Sequence, residues 1–136
     1  MPKLHFSPIR GKAEEIIDAI LHTEEVASCT KELYSIHLVC EELVVNVASY
    51  AYGDSDDGYL DIDIAKNDGV LTVTFRDGGI AFNPLETAPP DTSLPLEERS
   101  IGGLGIFLTV QMMDEVTYNR VGNENVLTIK KRTNEE

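Results

Sequence analysis

A two-layer α/β sandwich is the fold this sequence predicts, on three observations. Residues 59–66 and 70–76 alternate apolar and polar side chains around Asn67-Asp68-Gly69, the pattern of a half-buried hairpin. A second such pair, residues 115–120 and 126–131, flanks Gly122-Asn123. Residues 12–27 and 30–50 instead place apolar side chains three and four positions apart, the period of helices packed by one face. Strands on one side and helices on the other make the two layers. At 136 residues the chain is expected to form a single domain, 1–136, large enough to bury roughly two-thirds of its unfolded surface.

The elements follow in order. Residues 3–6 form a short edge strand that ends before Pro8. Ile16, Ile17, Ile20 and Leu21 carry a first amphipathic helix over 12–27. Thr30 can cap a second helix that runs to about Tyr50 and stops at Gly53. The turn-rich acidic linker Asp-Ser-Asp-Asp-Gly, residues 54–58, leads into the first hairpin. Residues 83–101 hold Pro84, Pro89, Pro90 and Pro95 with little apolar pattern. A loop of that length in a compact domain is commonly a lid or a binding segment. Gly102-Gly103-Leu104-Gly105 opens a helix over 106–113, and the second hairpin closes the chain.

Composition excludes several classes of function. Hydrophobic content of 42% and charged content of 26% are ordinary for a soluble globular protein. A formal charge of −13, with no basic stripe, argues against a nucleic acid or an anionic membrane as partner. No apolar run approaches the ~18 residues of a membrane span, and the N-terminus lacks the pattern of a signal peptide. Cys29 and Cys40 lie eleven residues apart on or beside one helix, which is neither a zinc spacing nor a plausible disulfide. They read as reduced, packing thiols of a cytoplasmic protein. His5, His22 and His37 show no ligand spacing.

Three motifs carry chemistry. The first is Glu42-Leu-Val-Val-Asn46, a carboxylate and an amide about one helical turn apart. Ile36, Val39, Cys40, Leu43, Val44 and Val47 fill one side of that helix, and Leu38 and Val45 much of the other. The helix is therefore expected to be buried nearly all round. Polar groups in such a setting are costly unless satisfied, by a metal ion or a nucleophile's proton, or more simply by partial exposure or neighbouring backbone. The second motif, Asp77-Gly78-Gly79, follows a strand. An aspartate there can accept a hydrogen bond from an exocyclic amine, and Gly79 lets a flat ring approach the backbone. An ordinary Asp-Gly turn uses the same residues. The third, Gly102 to Gly105 before a helix, suits an anion at a helix N-terminus or a flexible hinge. Its spacing fits neither the P-loop nor the Rossmann pattern.

Taken in order, E-x-x-x-N on a helix, D-x-G-x-x-F-N-P after a strand, a long lid and GGLG before a helix resemble the GHKL ATP-binding superfamily. Glu42 to Asn46 looks like its N box, Asp77 to Pro84 its first glycine box, and Gly102 to Gly105 its second. Within it, the chain is most similar to small stand-alone bacterial serine/threonine kinases that act as anti-sigma factors. Glu98-Arg99-Ser100 and Met113-Asp114-Glu115-Val116 add to the likeness, which spans about residues 3 to 132.

The resemblance implies the Bergerat fold, a mixed, mainly antiparallel sheet with helices on one face and ATP held between helix and lid. It implies that Asn46 coordinates Mg²⁺, that Asp77 binds the adenine amine, and that Gly79 and Phe82 shape the pocket. Gly102, Gly103, Leu104 and Gly105 would lie along the phosphates, and Arg99 would reach the γ-phosphate from the lid. Glu42 would be the general base toward a protein serine, since burial raises a carboxylate's pKa and makes it a better base. The implied partners are a sigma factor or similar target and an anti-anti-sigma antagonist, with homodimerisation common among the look-alikes. Three positions depart from the pattern. Tyr50 stands where many members have His, and Asn83 where Asp is common. The first helix carries Glu14, Glu15, Asp18, Glu24 and Glu25 and no arginine, where the best-known members present one to their partners. The residues also allow a nucleotide-gated module that sequesters a partner without phosphorylating it, or a degenerate fold that binds no nucleotide.

Overall fold

The computed structural model describes residues 3–7, 9, 11–47, 58–81 and 111–133. Five strands, β1 (Lys3–Phe6), β2 (Leu60–Asn67), β3 (Val70–Asp77), β4 (Glu115–Val121) and β5 (Glu124–Arg132), form one sheet in the order β1-β2-β3-β5-β4. Every pairing among them is antiparallel, so the antiparallel majority expected of the sheet is all of its described part. The β2–β3 hairpin turns at Asp68 and Gly69, with φ of 53° and 76°. That is the pair of left-handed residues a tight two-residue turn requires, and Asp and Gly tolerate it.

Period-two alternation sorts the sheet into two faces. Leu60, Ile62 and Ile64 on β2, Leu71, Val73 and Phe75 on β3, and Leu127 and Ile129 on β5 are buried. They pack into one core with Ile16, Ile17 and Ile20 of α1 (Ala13–Leu21), Val26 of α2 (Glu24–Ala27), and Ile36, Val39, Cys40, Leu43 and Val44 of α3 (Leu33–Asn46). The opposite face is polar and half-open. There Arg76 pairs with Asp63, Lys130 with Glu115 at 3.5 Å, and His5 with Asp61.

The helical layer differs from the expectation in three ways. The single helix over 12–27 is two, α1 and α2. Thr23 is extended (φ −67°, ψ 146°), and its hydroxyl donates back to the Ile20 carbonyl at 2.8 Å, the competition by which a hydroxyl side chain ends a helix. Thr30 does not cap α3. A turn in which the Glu32 N–H donates to the Cys29 carbonyl delays the helix, and Glu32 stands at its N-cap with no side-chain hydrogen bond capping the helix. Nor is α3 buried all round. Tyr34 is 76% exposed and Val45 40%, because α1 and the sheet cover one side only. Residues 48–57 lie outside the described residues, as do the expected lid, 83–101, and the start of the helix over 106–113, of which Gln111 and Met112 are helical.

Cys29 and Cys40 are free, buried thiols, and burial pushes Cys40 up to about 12. It packs; it does not react. Among the described residues there is no cluster of histidine, cysteine and carboxylates fit to hold a metal. No described helix is long and apolar enough to cross a membrane.

Candidate functional site

The core-facing side of the sheet changes character at one end. Its middle rows are apolar across the strands: Ile62, Phe75 and Leu127 stand in register, as do Ile64, Val73 and Ile129. The last row runs Leu60, Asp77, Asn125, Arg120. Asp77 is 5% exposed and Asn125 6%, so a carboxylate and an amide occupy places that the pleat assigns to the core. Groups buried to that degree require partners.

Asp77 finds them locally. Its Oδ1 accepts the Gly79 N–H at 2.9 Å and the Asn125 Nδ2–H at 3.0 Å. Oδ2 accepts no bond among the described residues. It is nevertheless not sealed from solvent, since no fully buried side-chain polar atom there lacks a partner. Burial raises the Asp77 pKa. The hydrogen bonds from Asn125 and Gly79 and the charge of Arg120 pull it back down, and Glu124 pushes it up.

The loop after Asp77 is tied at three points. Gly79 is held by its N–H on Asp77 and by its carbonyl, which accepts Arg120 Nη1 at 2.9 Å. The Ile80 carbonyl accepts the Asn125 amide at 2.7 Å. The Ile80 side chain is 66% exposed, so an apolar surface stands next to a buried glycine and a buried carboxylate. On the opposite face a hydroxyl clasp backs the same sheet end. Tyr59 donates to Glu124 at 2.5 Å, and a Cβ at Gly78 would lie 2.8 Å from its ring. Gly78 is therefore a close-approach glycine.

Glu42 and Asn46 are half-buried on successive turns of α3, and among the described residues neither side chain has a hydrogen-bond partner. Burial raises the Glu42 pKa, with the charge of Glu41 adding to it. A partly desolvated carboxylate one turn from a side-chain amide oxygen can take a proton beside a hard-cation ligand. No hydrogen bond among the described residues links this pair to the Asp77 cluster. Phe82, Arg99, Gly102, Gly103, Leu104 and Gly105 lie outside the described residues, as do Tyr50 and Asn83.

Asn125, Arg120, Tyr118 and Tyr59 are the described site residues that the sequence reading missed. A signal for the first existed. Asn125 is in phase with Leu127 and Ile129, so a strand begun two residues earlier would have placed an amide on the core face, opposite Asp77.

The model of the histidine kinase-like ATPase domain matches residues 4–131 of this chain. The anti-sigma F factor of Geobacillus stearothermophilus is 32% identical over 105 residues, 76% of this chain and 70% of that protein. The anti-sigma F factor of Bacillus velezensis is 38% identical over 88 residues, 63% of this chain and 59% of that protein. A protein named serine-protein kinase RsbW from Oceanobacillus iheyensis is 26% identical over 93 residues, 65% of this chain and 59% of its own. Among solved structures, the RsbU and RsbW domains of a Mycobacterium tuberculosis protein align with a TM-score of 0.60 at 14% identity, over 98% of this chain and 33% of that one. The histidine kinase domain of a blue-light-activated kinase from Erythrobacter litoralis gives 0.57 at 18%, over 93% and 61%. At those identities the likeness is one of fold, and it agrees with the antiparallel sheet and helical layer described above. The chain belongs to the histidine kinase-like ATPase domain family.

Proposed function

We propose that this protein is an ATP-dependent protein serine/threonine kinase of a bacterial partner-switching pathway, an anti-sigma regulatory factor that phosphorylates an anti-anti-sigma antagonist. The observation that carries the reading is Glu42, a carboxyl whose pKa is raised by burial, one turn before Asn46. The names of the relatives, anti-sigma F factor and serine-protein kinase RsbW, support the biological context. ATP is the phosphate donor, with the adenine amine donating to Asp77 beside Gly79.

The Asn46 amide oxygen suits Mg²⁺, a hard cation commonly held by one or two protein oxygens with phosphate and water filling the rest. Bound there, it would neutralise charge on the phosphates. Glu42 accepts the proton of the substrate serine as the serine oxygen bonds to the γ-phosphorus and the bond to ADP breaks. Phe82, Gly102, Gly103, Leu104, Gly105 and Arg99 belong to the same proposal, as pocket wall, phosphate cradle and lid contact, with the lid over 83–101 closing a single domain. The sigma factor or similar target, the antagonist and a homodimer are the partners proposed.

Transfer from γ-labelled ATP to an antagonist that co-purifies with the protein tests this. Glu42→Gln should slow transfer by roughly 10²–10⁴-fold, the usual worth of a positioned base, while leaving ATP affinity within about twofold. Transfer at the wild-type rate in Glu42→Gln would overturn the mechanism. ATP-dependent binding of the antagonist with no transfer in wild type would replace it with the partner-sequestering module.

A further inference from the structure

We infer that Asn125 is a positioning residue for purine selection: it locks one oxygen of Asp77 and so presents the other to an exocyclic amine. The inference rests on the reading of Asp77 as the adenine acceptor and adds how its carboxylate is aimed.

The argument begins with the hydrogen-bonding capacity of one amide. Asn125 Nδ2 carries two hydrogens; one goes to Asp77 Oδ1 at 3.0 Å and the other to the Ile80 carbonyl at 2.7 Å. Its Oδ1 accepts Tyr118 Oη–H at 2.5 Å and Arg120 Nη1–H at 3.2 Å. Both amide hydrogens and both oxygen lone pairs are thereby used. The orientation is also forced. A flipped amide would set its oxygen against a carboxylate and a carbonyl, and its NH₂ against a guanidinium. Asn125 is thus spent on the protein and acts through Asp77.

The consequence falls on the two oxygens of Asp77. Oδ1 is occupied by Gly79 and Asn125. Oδ2, which takes no bond among the described residues, has its direction fixed by that anchoring. A fixed acceptor favours a base bearing an amine at the purine 6-position and opposes one bearing a carbonyl there, because two acceptors would face each other. Arg120 extends the device to β4, bonding Asn125 Oδ1 and the Gly79 carbonyl with one nitrogen. The β4–β5 hairpin therefore holds both the carboxylate and the glycine backbone beside it.

Equilibrium binding of ATP and of inosine triphosphate, which carries a carbonyl in place of the amine, tests the inference on the full chain with Mg²⁺. Wild type should prefer ATP, and Asp77→Asn should lose that preference. Asn125→Ala should weaken ATP by about tenfold, the worth of one well-made hydrogen bond, while changing inosine triphosphate little, so that the ratio collapses. Tyr118→Phe removes one bond to the Asn125 oxygen and keeps the ring. It should lower the ratio by roughly two- to threefold, and it serves if the alanine variant fails to fold. Asn125→Asp sets a second carboxylate against Asp77, where the two would share a proton. While held, that proton supplies the donor that the amide lost, so ATP affinity of this variant should fall as pH rises through neutrality and the pair gives the proton up, whereas that of wild type stays level. Equal losses for both nucleotides in Asn125→Ala and Tyr118→Phe, with no pH dependence in Asn125→Asp, would make Asn125 merely structural and overturn the inference. No wild-type preference for ATP, with Asp77→Asn unaffected, would instead overturn the adenine reading and remove this inference with it.

Discussion

The middle rows and the last row of the core-facing sheet share one pleat and one register, and Asp77 and Asn125 are nearly as buried as their apolar neighbours, yet the rows do different work. Ile64, Val73 and Ile129 bring nothing but apolar surface. One end of the same sheet substitutes Asp77, Asn125 and Arg120 at equivalent places. Backbone geometry decides where a side chain points, and residue identity decides whether that place becomes core or site. The polar row persists because nearly every donor and acceptor in it is matched, the condition under which buried polar networks are tolerated.

If the middle rows are purely structural, truncating them should cost stability and leave nucleotide selection alone. Ile64 is 0% exposed, and Ile64→Ala removes three buried carbons and leaves a cavity. A loss of about 2–5 kcal/mol is expected, read from urea denaturation. Nucleotide affinity of the fraction that remains folded should not change. A selective loss of ATP over inosine triphosphate in this variant would break the division between the two regions.

A smaller effect is expected where the two faces of the sheet end meet. Gly78→Ala would bring a Cβ to 2.8 Å from Tyr59 Cε1 and 3.0 Å from its hydroxyl oxygen, which is tethered to Glu124. The ring cannot swing away without releasing that bond, so overpacking should cost about 1–3 kcal/mol. In a Tyr59→Leu background the same change should cost less than half as much, a coupling that a double-mutant cycle measures. Additive costs would show that the clasp does not confine Gly78.

Much of this contrast was legible before any coordinates. Alternation in residues 59–76 identified β2 and β3, and Asp68-Gly69 set their register, so Asp77 was correctly placed at a strand end. Glu42 and Asn46 were correctly put one turn apart, although neither is sunk as deeply as an all-apolar wheel implied. Val45 and Tyr34 show why: a hydrophobic side chain on a helix does not announce whether anything covers it. The break at Thr23 was invisible because a threonine hydroxyl can serve a helix end or an interior, and tertiary packing chooses. Asn125 was lost to the turn beside it. An asparagine two residues after Gly122-Asn123 looks like loop chemistry until the strand's phase is carried through to its first residues.

The smallest stability effect is also the sharpest comparison, because its sign separates the two regions. Core residues stabilise the fold in proportion to their burial, whereas Asp77 is buried against its own preference. Its folded-state pKa lies above that of the unfolded chain, through burial first and the charge of Glu124 last, with Asn125, Gly79 and Arg120 only partly opposing. Below the ordinary carboxylate value, about 3.9, both states hold the proton and nothing is lost. As pH rises through the window between that value and the raised one, the unfolded chain releases its proton first and folding stability falls. Asp77→Asn keeps an oxygen for Gly79 and Asn125 and cannot ionise. Its stability relative to wild type should therefore grow across that window and level off above it, while ATP affinity is lost at every pH. Urea midpoints of both proteins from pH 4 to pH 8, with nucleotide titrations alongside, would read both effects. A variant less stable than wild type at neutral pH would mean that the ionised carboxylate supports the fold, and that the last row is core after all.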